Sequence, residues 1–354
     1  MKKQLLVLSV LLLLLAACAA PPRPVRYIYP TPPQQPRIEW LGTYASSDDF
    51  PKTEAQRAFE QVAGKPPLDP FLGPYGIAAD GAGRVFVVDM YAKNIRVYDF
   101  NNNKVDLFLK EPLLGQPFYL AIDSKKQLYV ADAENRQVAV LSPDAKLVRT
   151  YGNKQELTNP VYVEIDEKRR RLYVSDTRQG QINVYDLDGG QRLFAFGKGI
   201  LLGAQGVAVS PDGNLYVADT LNANIKIFDF QGNFLRKFGE RVDTEYGFEH
   251  PKDLDFDSEG NLWVMDYRKT LLRVFTPDGT LLLSAGGPLG HKMGFSSPTA
   301  IYIGPDDEIF VTDLMGKRFS HWRYLSKAAL ARHPLTAEDI EAVRKATGGA
   351  GAAK

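Results

Sequence analysis

Residues 206–222 read GVAVSPDGNLYVADTLN, and the phrase that closes on Asp219 is one of six near copies. The copies are Phe86-Val87-Val88-Asp89, Tyr129-Val130-Ala131-Asp132, Tyr173-Val174-Ser175-Asp176, Tyr216-Val217-Ala218-Asp219, Trp263-Val264-Met265-Asp266 and Phe310-Val311-Thr312-Asp313. Their aspartates are spaced by 43, 44, 43, 47 and 47 residues. A period in the forties, built from β-type residues, predicts a propeller with one small antiparallel sheet per repeat. The expected fold is all-β: a six-bladed β-propeller with four-stranded antiparallel blades.

The fourth repeat shows how a blade is spelled. Gly206 to Val209 is the first strand, Leu215 to Ala218 the second, Ile225 to Phe228 the third and Phe234 to Phe238 the fourth. Asp212-Gly213-Asn214 and Gln231-Gly232-Asn233 supply the turn residues between them. The last repeat lacks a fourth strand. Ile38-Glu39-Trp40-Leu41-Gly42-Thr43-Tyr44 resembles the fourth strands elsewhere, so it is expected to join the last sheet and close the ring. A helix is expected at about 53–63, with Ala55, Phe59 and Val62 on one face, and another at about 337–345, with Thr336 as N-cap.

Working outward gives four segments: 1–17 a signal peptide, 18–36 a cysteine and spacer, 37–326 the propeller, and 327–354 a helical segment with a disordered tail. The formal net charge is +1, and without Lys2 and Lys3 the balance is 41 basic against 42 acidic residues. That gives no bulk electrostatic case for nucleic acid. Lys2 and Lys3 precede an apolar run from Leu5 to Leu15, too short to cross a bilayer but suited to a secretory signal. Seven prolines between 19 and 36 predict a semi-rigid spacer of up to about 55 Å.

The run ends Leu15-Ala16-Ala17-Cys18, and Cys18 is the single cysteine. This resembles a bacterial lipoprotein signal. The resemblance implies acylation of Cys18 and a membrane-anchored protein, and Ala19 after it implies the outer rather than the inner membrane. The body would face the periplasm or the cell surface, as a monomer or a component of a larger complex with an envelope protein partner. No cysteine remains for a disulfide or a thiolate metal site.

The pattern over 206–222 also resembles the NHL repeat, and the likeness runs over about residues 70–325. That resemblance implies the propeller fold and leaves function open. NHL repeats often place Arg five residues after the repeated Asp; here those positions hold Asn94, Gln137, Gln181, Asn224, Leu271 and Arg318, so RNA binding does not carry over. The six aspartates Asp89, Asp132, Asp176, Asp219, Asp266 and Asp313 are expected to be structural, since each opens a turn where a carboxylate can accept backbone N–H groups.

Antiparallel order places the loops after the second strands and the loops between repeats on one face, called face one here, and the short hairpins on face two. Face one is the expected binding face. Its longest loops, 239–251 and 285–298, bring Arg241, Tyr246, His250, His291 and Lys292 to one sector, with Lys252, Tyr267, Arg268 and Lys269 beside them. This basic, aromatic patch would suit an anionic ligand or an acidic protein. In the channel, Glu164 and Asp255 stand on first strands at the position held by Ala78, Ala121 and Ala208 in three other repeats, and Asp253 sits two residues before Asp255. No cofactor is expected from motifs; Ca²⁺ is the one ion these carboxylates would suit, and hydrated channel lining is the simpler reading.

The expected function is a non-catalytic binding or scaffold protein of the cell envelope, not an enzyme. The alternative is a metal-dependent propeller enzyme. An amidating-lyase-like site would imply zinc on three His, and the chain has only His250, His291, His321 and His333. A lactonase-like hydrolase site would imply Ca²⁺ on channel carboxylates and amides.

Overall fold

The computed structural model describes residues 25–64, 70–244, 246–289 and 293–346. Six sheets form, and the innermost strands pack in a ring: Pro74–Ala79, Pro117–Ile122, Pro160–Asp166, Ala204–Val209, Pro251–Phe256 and Pro298–Ile303. Numbered in chain order from these strands, blades 1 to 5 each have four strands running from the channel outward. In blade 4 the order is Ala204–Val209, Leu215–Asp219, Asn224–Phe228 and Phe234–Phe238, with Ala208 opposite Tyr216 and Tyr216 opposite Ile227.

Burial follows that order. The second strands have neighbours on both faces, and their valines Val87, Val130, Val174, Val217, Val264 and Val311 are wholly buried. The fourth strands are mostly exposed, as in Leu147–Tyr151 and Phe234–Phe238. Alternating faces of one blade therefore pack on the blades either side, which builds a continuous core from repeats that could not bury their apolar faces alone.

The ring is closed as the sequence predicts. Ile38–Tyr44 pairs antiparallel with Arg318–Tyr324, Trp40 opposite Trp322. The last blade then exceeds expectation. Tyr27–Tyr29 adds a fifth strand outside Ile38–Tyr44, with Tyr29 opposite Ile38. Residues 25–36 are thus folded against the body and are not part of a free spacer, because an edge strand tolerates prolines at its end. Ile28 packs with Leu325 and Val343, the latter on the helix Ala337–Ala346, and Arg26 pairs with Glu39 at 2.6 Å. A shorter helix, Lys327–Arg332, precedes it. Cys18 and the signal segment lie outside the described residues.

The helix Glu54–Ala63 carries Thr53 as N-cap, in a capping box with Gln56. Its chain leaves the closing strand beside Phe319 and returns at Pro74, both at face one. The expected packing of Ala55, Phe59 and Val62 is not found: all three are exposed, Phe59 at 68% and Val62 at 91%. Phe50 makes the attachment instead, its ring 5.4 Å from Tyr44 and 5.2 Å from Phe100, so the helix has nothing left to bury.

The repeated aspartates each hold two backbone amides of the loop that enters the same blade's first strand. Asp89 accepts from Leu72 and Gly73, Asp132 from Gly115 and Gln116, Asp176 from Thr158 and Asn159, Asp219 from Leu202 and Gly203, Asp266 from Glu249 and His250, and Asp313 from Ser296 and Ser297, most at 2.6–3.1 Å. The residue four positions after each Asp has a positive φ, from 49° at Lys317 to 61° at Gly180, which turns the chain into the third strand. Three aspartates also meet a buried cation seven residues on: Arg96, Lys226 and Arg273. Arg273 lies 2.8 Å from Asp266, and both are wholly buried.

Two substitutions separate these roles. Asp132→Asn should cost about 1–3 kcal/mol, the penalty for a mismatched buried acceptor. Asp266→Asn should cost about 3–5 kcal/mol, because it also strands the Arg273 charge. Guanidinium unfolding midpoints of the two variants check the order.

Candidate active site at the channel mouth

The second residues of the first strands lie at their face-one ends. These are Tyr75, Phe118, Val161, Gln205, Lys252 and Thr299 around the ring. Tyr75 meets Phe118 edge-on at 5.2 Å. Lys252 reaches across the start of blade 6, so that its Nζ lies 4.5 Å from the centre of the Tyr75 ring and 4.7 Å from that of Tyr267. Thr299 is small enough to pass beneath, its hydroxyl donating to the Tyr75 carbonyl at 3.2 Å. Two ring faces attract an ammonium, but crowding strips its water. Burial pushes the Lys252 amine down to about 8, against the smaller opposing pull of Tyr267 and Asp253.

Below the mouth the channel is plugged. Tyr119 of blade 2 and Tyr162 of blade 3 stack at 3.8 Å. The Tyr119 hydroxyl donates to the Ile301 carbonyl across the channel at 3.1 Å, and Tyr162 hydrogen-bonds the Asp253 carboxylate. Gly206 makes room for that carboxylate, since a Cβ there would lie 2.6 Å from Asp253 Oδ1. Burial holds both phenols, and that of Tyr75, well above the usual tyrosine range, so they stay protonated donors.

The channel carboxylates join neighbouring blades. Asp253 accepts from the Leu254 amide at 2.8 Å and from Ile301 of blade 6 at 2.9 Å. Asp255 does the same with Phe256 at 2.8 Å and Ile303 at 2.7 Å. Glu164 has the matching contact with the Val209 amide of blade 4. Burial lifts Asp253 and Asp255 to about 7, and raises Glu164 with further help from the two aspartates. The three do not suit a calcium ion. Each oxygen of Asp253 and Asp255 already faces an N–H donor, and among the described residues no three His, Cys, Asp or Glu side chains come close enough to hold a metal.

The sector expected from the long loops is only partly assembled. Burial lowers the pKa of His250, with smaller contributions from Arg241 and Arg268 within electrostatic range. Lys269 Nζ is tied to the Thr244 carbonyl at 2.7 Å, pinning the loop rather than facing a ligand. Arg241 donates to Leu221, and Tyr246 is 62% exposed. Of the described members of that patch, Lys252 and Tyr267 are the ones that meet at the mouth. His291 and Lys292 lie outside the described residues, as does Glu245. A three-His zinc set does not form among the described residues, since His321 is buried on Phe310 and His333 follows a C-terminal helix. Sequence reading missed Tyr75, Tyr119 and Tyr162. Their one available signal is an aromatic near the start of a first strand, where blades 4 to 6 have none. A separate cavity of about 250 Å³ lies in the seam between blades 6 and 1 at face two, lined by Phe100, Phe310, Glu308 and His321, away from this mouth.

With this geometry in view, comparison with known proteins defines the class: an NHL/lactonase-type propeller fold. The family model "Lactonase, 7-bladed beta-propeller" matches residues 85–195, and the NHL repeat matches 201–228. The lactonase match spans less than half the chain, and the ring itself has six blades. Protein brain tumor of Drosophila melanogaster is 26% identical over 129 residues, which is 35% of this chain and 12% of that protein's length. Virginiamycin B lyase from Staphylococcus aureus superposes with a TM-score of 0.56 at 12% identity, covering 73% of this chain and 97% of that one. A gluconolactonase from Xanthomonas campestris gives 0.57 at 18%, covering 80% and 98%. Regucalcin from Agrobacterium tumefaciens, a calcium-binding protein, gives 0.56 at 13%, covering 83% and 90%.

These matches correct the expectation of a non-catalytic scaffold and the leaning against an enzyme. The lactonase family model over residues 85–195 is what speaks against that expectation; the lyase and gluconolactonase structures share the fold. At such identities the likeness is one of fold, so the chemistry has to come from the residues at this mouth.

The buried carboxyls set a pH dependence. Folding moves Asp253 and Asp255 from near 4 to about 7. Between those values the folded chain holds protons that the unfolded chain has released, so stability falls as pH rises through that window. The unfolding free energy read from guanidinium melts should be higher at about pH 5.5 than at about pH 8, by a difference on the order of a few kcal/mol. Asp255→Asn should shrink that difference.

Proposed function

We propose that this chain is a lactonase-like hydrolase that works at the face-one mouth with Lys252 as its general base. The observation that carries the reading is the Lys252 amine, held between Tyr75 and Tyr267 with its pKa pushed down to about 8. A base titrating near working pH is what hydrolysis of an ester or lactone needs. Neutral Nζ takes a proton from water, the resulting hydroxide adds to the carbonyl carbon, the ester C–O bond breaks, and the proton passes to the departing alkoxide. The Tyr75 hydroxyl, kept protonated by burial, would serve as a donor to the negative charge that gathers on the carbonyl oxygen. The plug of Tyr119 and Tyr162 floors the site and keeps the reaction at the rim.

The test is a panel of lactones and aryl esters. Lys252→Met should lower kcat by about 10²–10⁴-fold with the fold intact. In the unaltered protein kcat/KM should climb with pH up to about 8 and then level off, as the amine loses its proton. Unchanged turnover in the variant would end the assignment.

Lipidation of Cys18 is proposed on the signal-like run that precedes it. The chain that follows would meet the body at the outer edge of the last blade, where residues 25–29 lie. Expression in a Gram-negative host with radiolabelled palmitate should label the protein in the outer-membrane fraction, and Cys18→Ser should abolish the label.

A further inference from the structure

The ring order places blade 2 opposite blade 5, and so opposite Lys252. There the face-one loops of blades 1 to 3 enclose a second hollow of about 440 Å³. Tyr91, 61% exposed, stands at one side, and Gln116 and Asn159 line the rim nearest the first strands. Four charged side chains line it. Lys93 is neutralised by Glu134 at 2.9 Å. Arg136 and Arg178 remain, and among the described residues neither guanidinium makes an ion pair or a side-chain hydrogen bond.

The nearest carboxylates do not account for those two arginines. Asp132 is occupied by the amides of Gly115 and Gln116 and by Asn135 Nδ2 at 2.6 Å. Asp176 is occupied by the amides of Thr158, Asn159 and Gln179. Blades 2 and 3 also differ from their neighbours inside. Seven residues after the repeated Asp they have Ala139 and Asn183, where blades 1, 4 and 5 bury Arg96, Lys226 and Arg273. Their free positive charge is on the rim, in a hollow with an aromatic wall and amide side chains.

We propose that Arg136 and Arg178 form an oxyanion subsite that binds a carboxylate or phosphate group at one end of the substrate, while its ester or lactone carbonyl lies at Lys252. Two guanidinium forks aimed at one hollow match the planar, bidentate recognition of such groups. The substrate class is then an anionic lactone or ester long enough to span the mouth. The second half of this statement rests on the hydrolase reading; the binding of the anion does not.

The full-length chain should be titrated with phenyl phosphate, benzoate and benzyl alcohol by ligand-observed NMR. Saturable binding of one or both anions, and none of the alcohol, is expected. Phenyl phosphate alone would identify a phosphorylated substrate and benzoate alone a carboxylated one. Arg136→Gln with Arg178→Gln should weaken the anion by about tenfold or more, with an unchanged circular dichroism spectrum. Binding of equal strength in that double variant, or no saturable binding of either anion, would overturn the subsite. Lys252→Met separates the two readings: retained anion binding with lost turnover supports both, and retained binding with retained turnover removes Lys252 as the base while the subsite stands.

Discussion

Each blade depends on one carboxylate that reaches back across its own sheet. The aspartate closing the second strand holds two consecutive amides sixteen to eighteen residues earlier, where the chain drops from the rim onto the channel wall. Those amides sit at the start of a strand and have no ladder partner, and left bare they would be costly to bury. The same carboxylate takes a third donor from the turn that follows, a backbone amide in blades 1, 3, 5 and 6 and an asparagine side chain in blades 2 and 4. One charged group thus fixes both loops of face one in every blade. The loops that would carry chemistry are anchored at their bases while their outer side chains remain free to differ.

The channel is where the six blades stop being equivalent. Blades 1, 2 and 4 have Ala78, Ala121 and Ala208 deep on their first strands, whereas Glu164, Asp255 and Tyr302 stand at that depth in the others. These side chains use the space to bridge neighbouring inner strands: Asp255 to Ile303, Glu164 to Val209, and Tyr302 to the Ala79 carbonyl at 2.9 Å. Their cost is desolvation, seen in the raised pKa of both carboxyls. Above them the Tyr119–Tyr162 stack seals the axis, so the polar middle of the channel and the basic mouth are separate environments. The low pKa of Lys252 follows from burial between the rings of Tyr75 and Tyr267, which removes the water an ammonium would otherwise keep.

Reading of the candidate site from sequence succeeded in part. Asp253 and Asp255 were visible as carboxylates on an inner strand, Asp255 where three other repeats have alanine, but their hydrogen bonds to Ile301 and Ile303 depend on how far one inner strand is displaced along its neighbour. Lys252 was placed beside the patch on blade 5 and Tyr267 with it; that the amine would reach the ring of Tyr75, two blades away, follows only from closure. The helix at 54–63 shows the opposite error. Its apolar spacing is real, yet Phe50 already fills the groove between the last and first blades, and spacing alone does not reveal that a site is occupied.

The sequence by itself determined the number of blades, the strand order within each, and the loan of Ile38–Tyr44 to the last sheet. All of these rest on local signals: β-type runs, turn residues and an aspartate at a fixed period. Tertiary structure alone decided which side chains share the mouth, the plug across the channel and the folding of Tyr27–Tyr29 onto the outer edge. Those outcomes join residues up to hundreds of positions apart, and they depend on small offsets and on competition for space between blades, which a one-dimensional pattern of residue types does not encode.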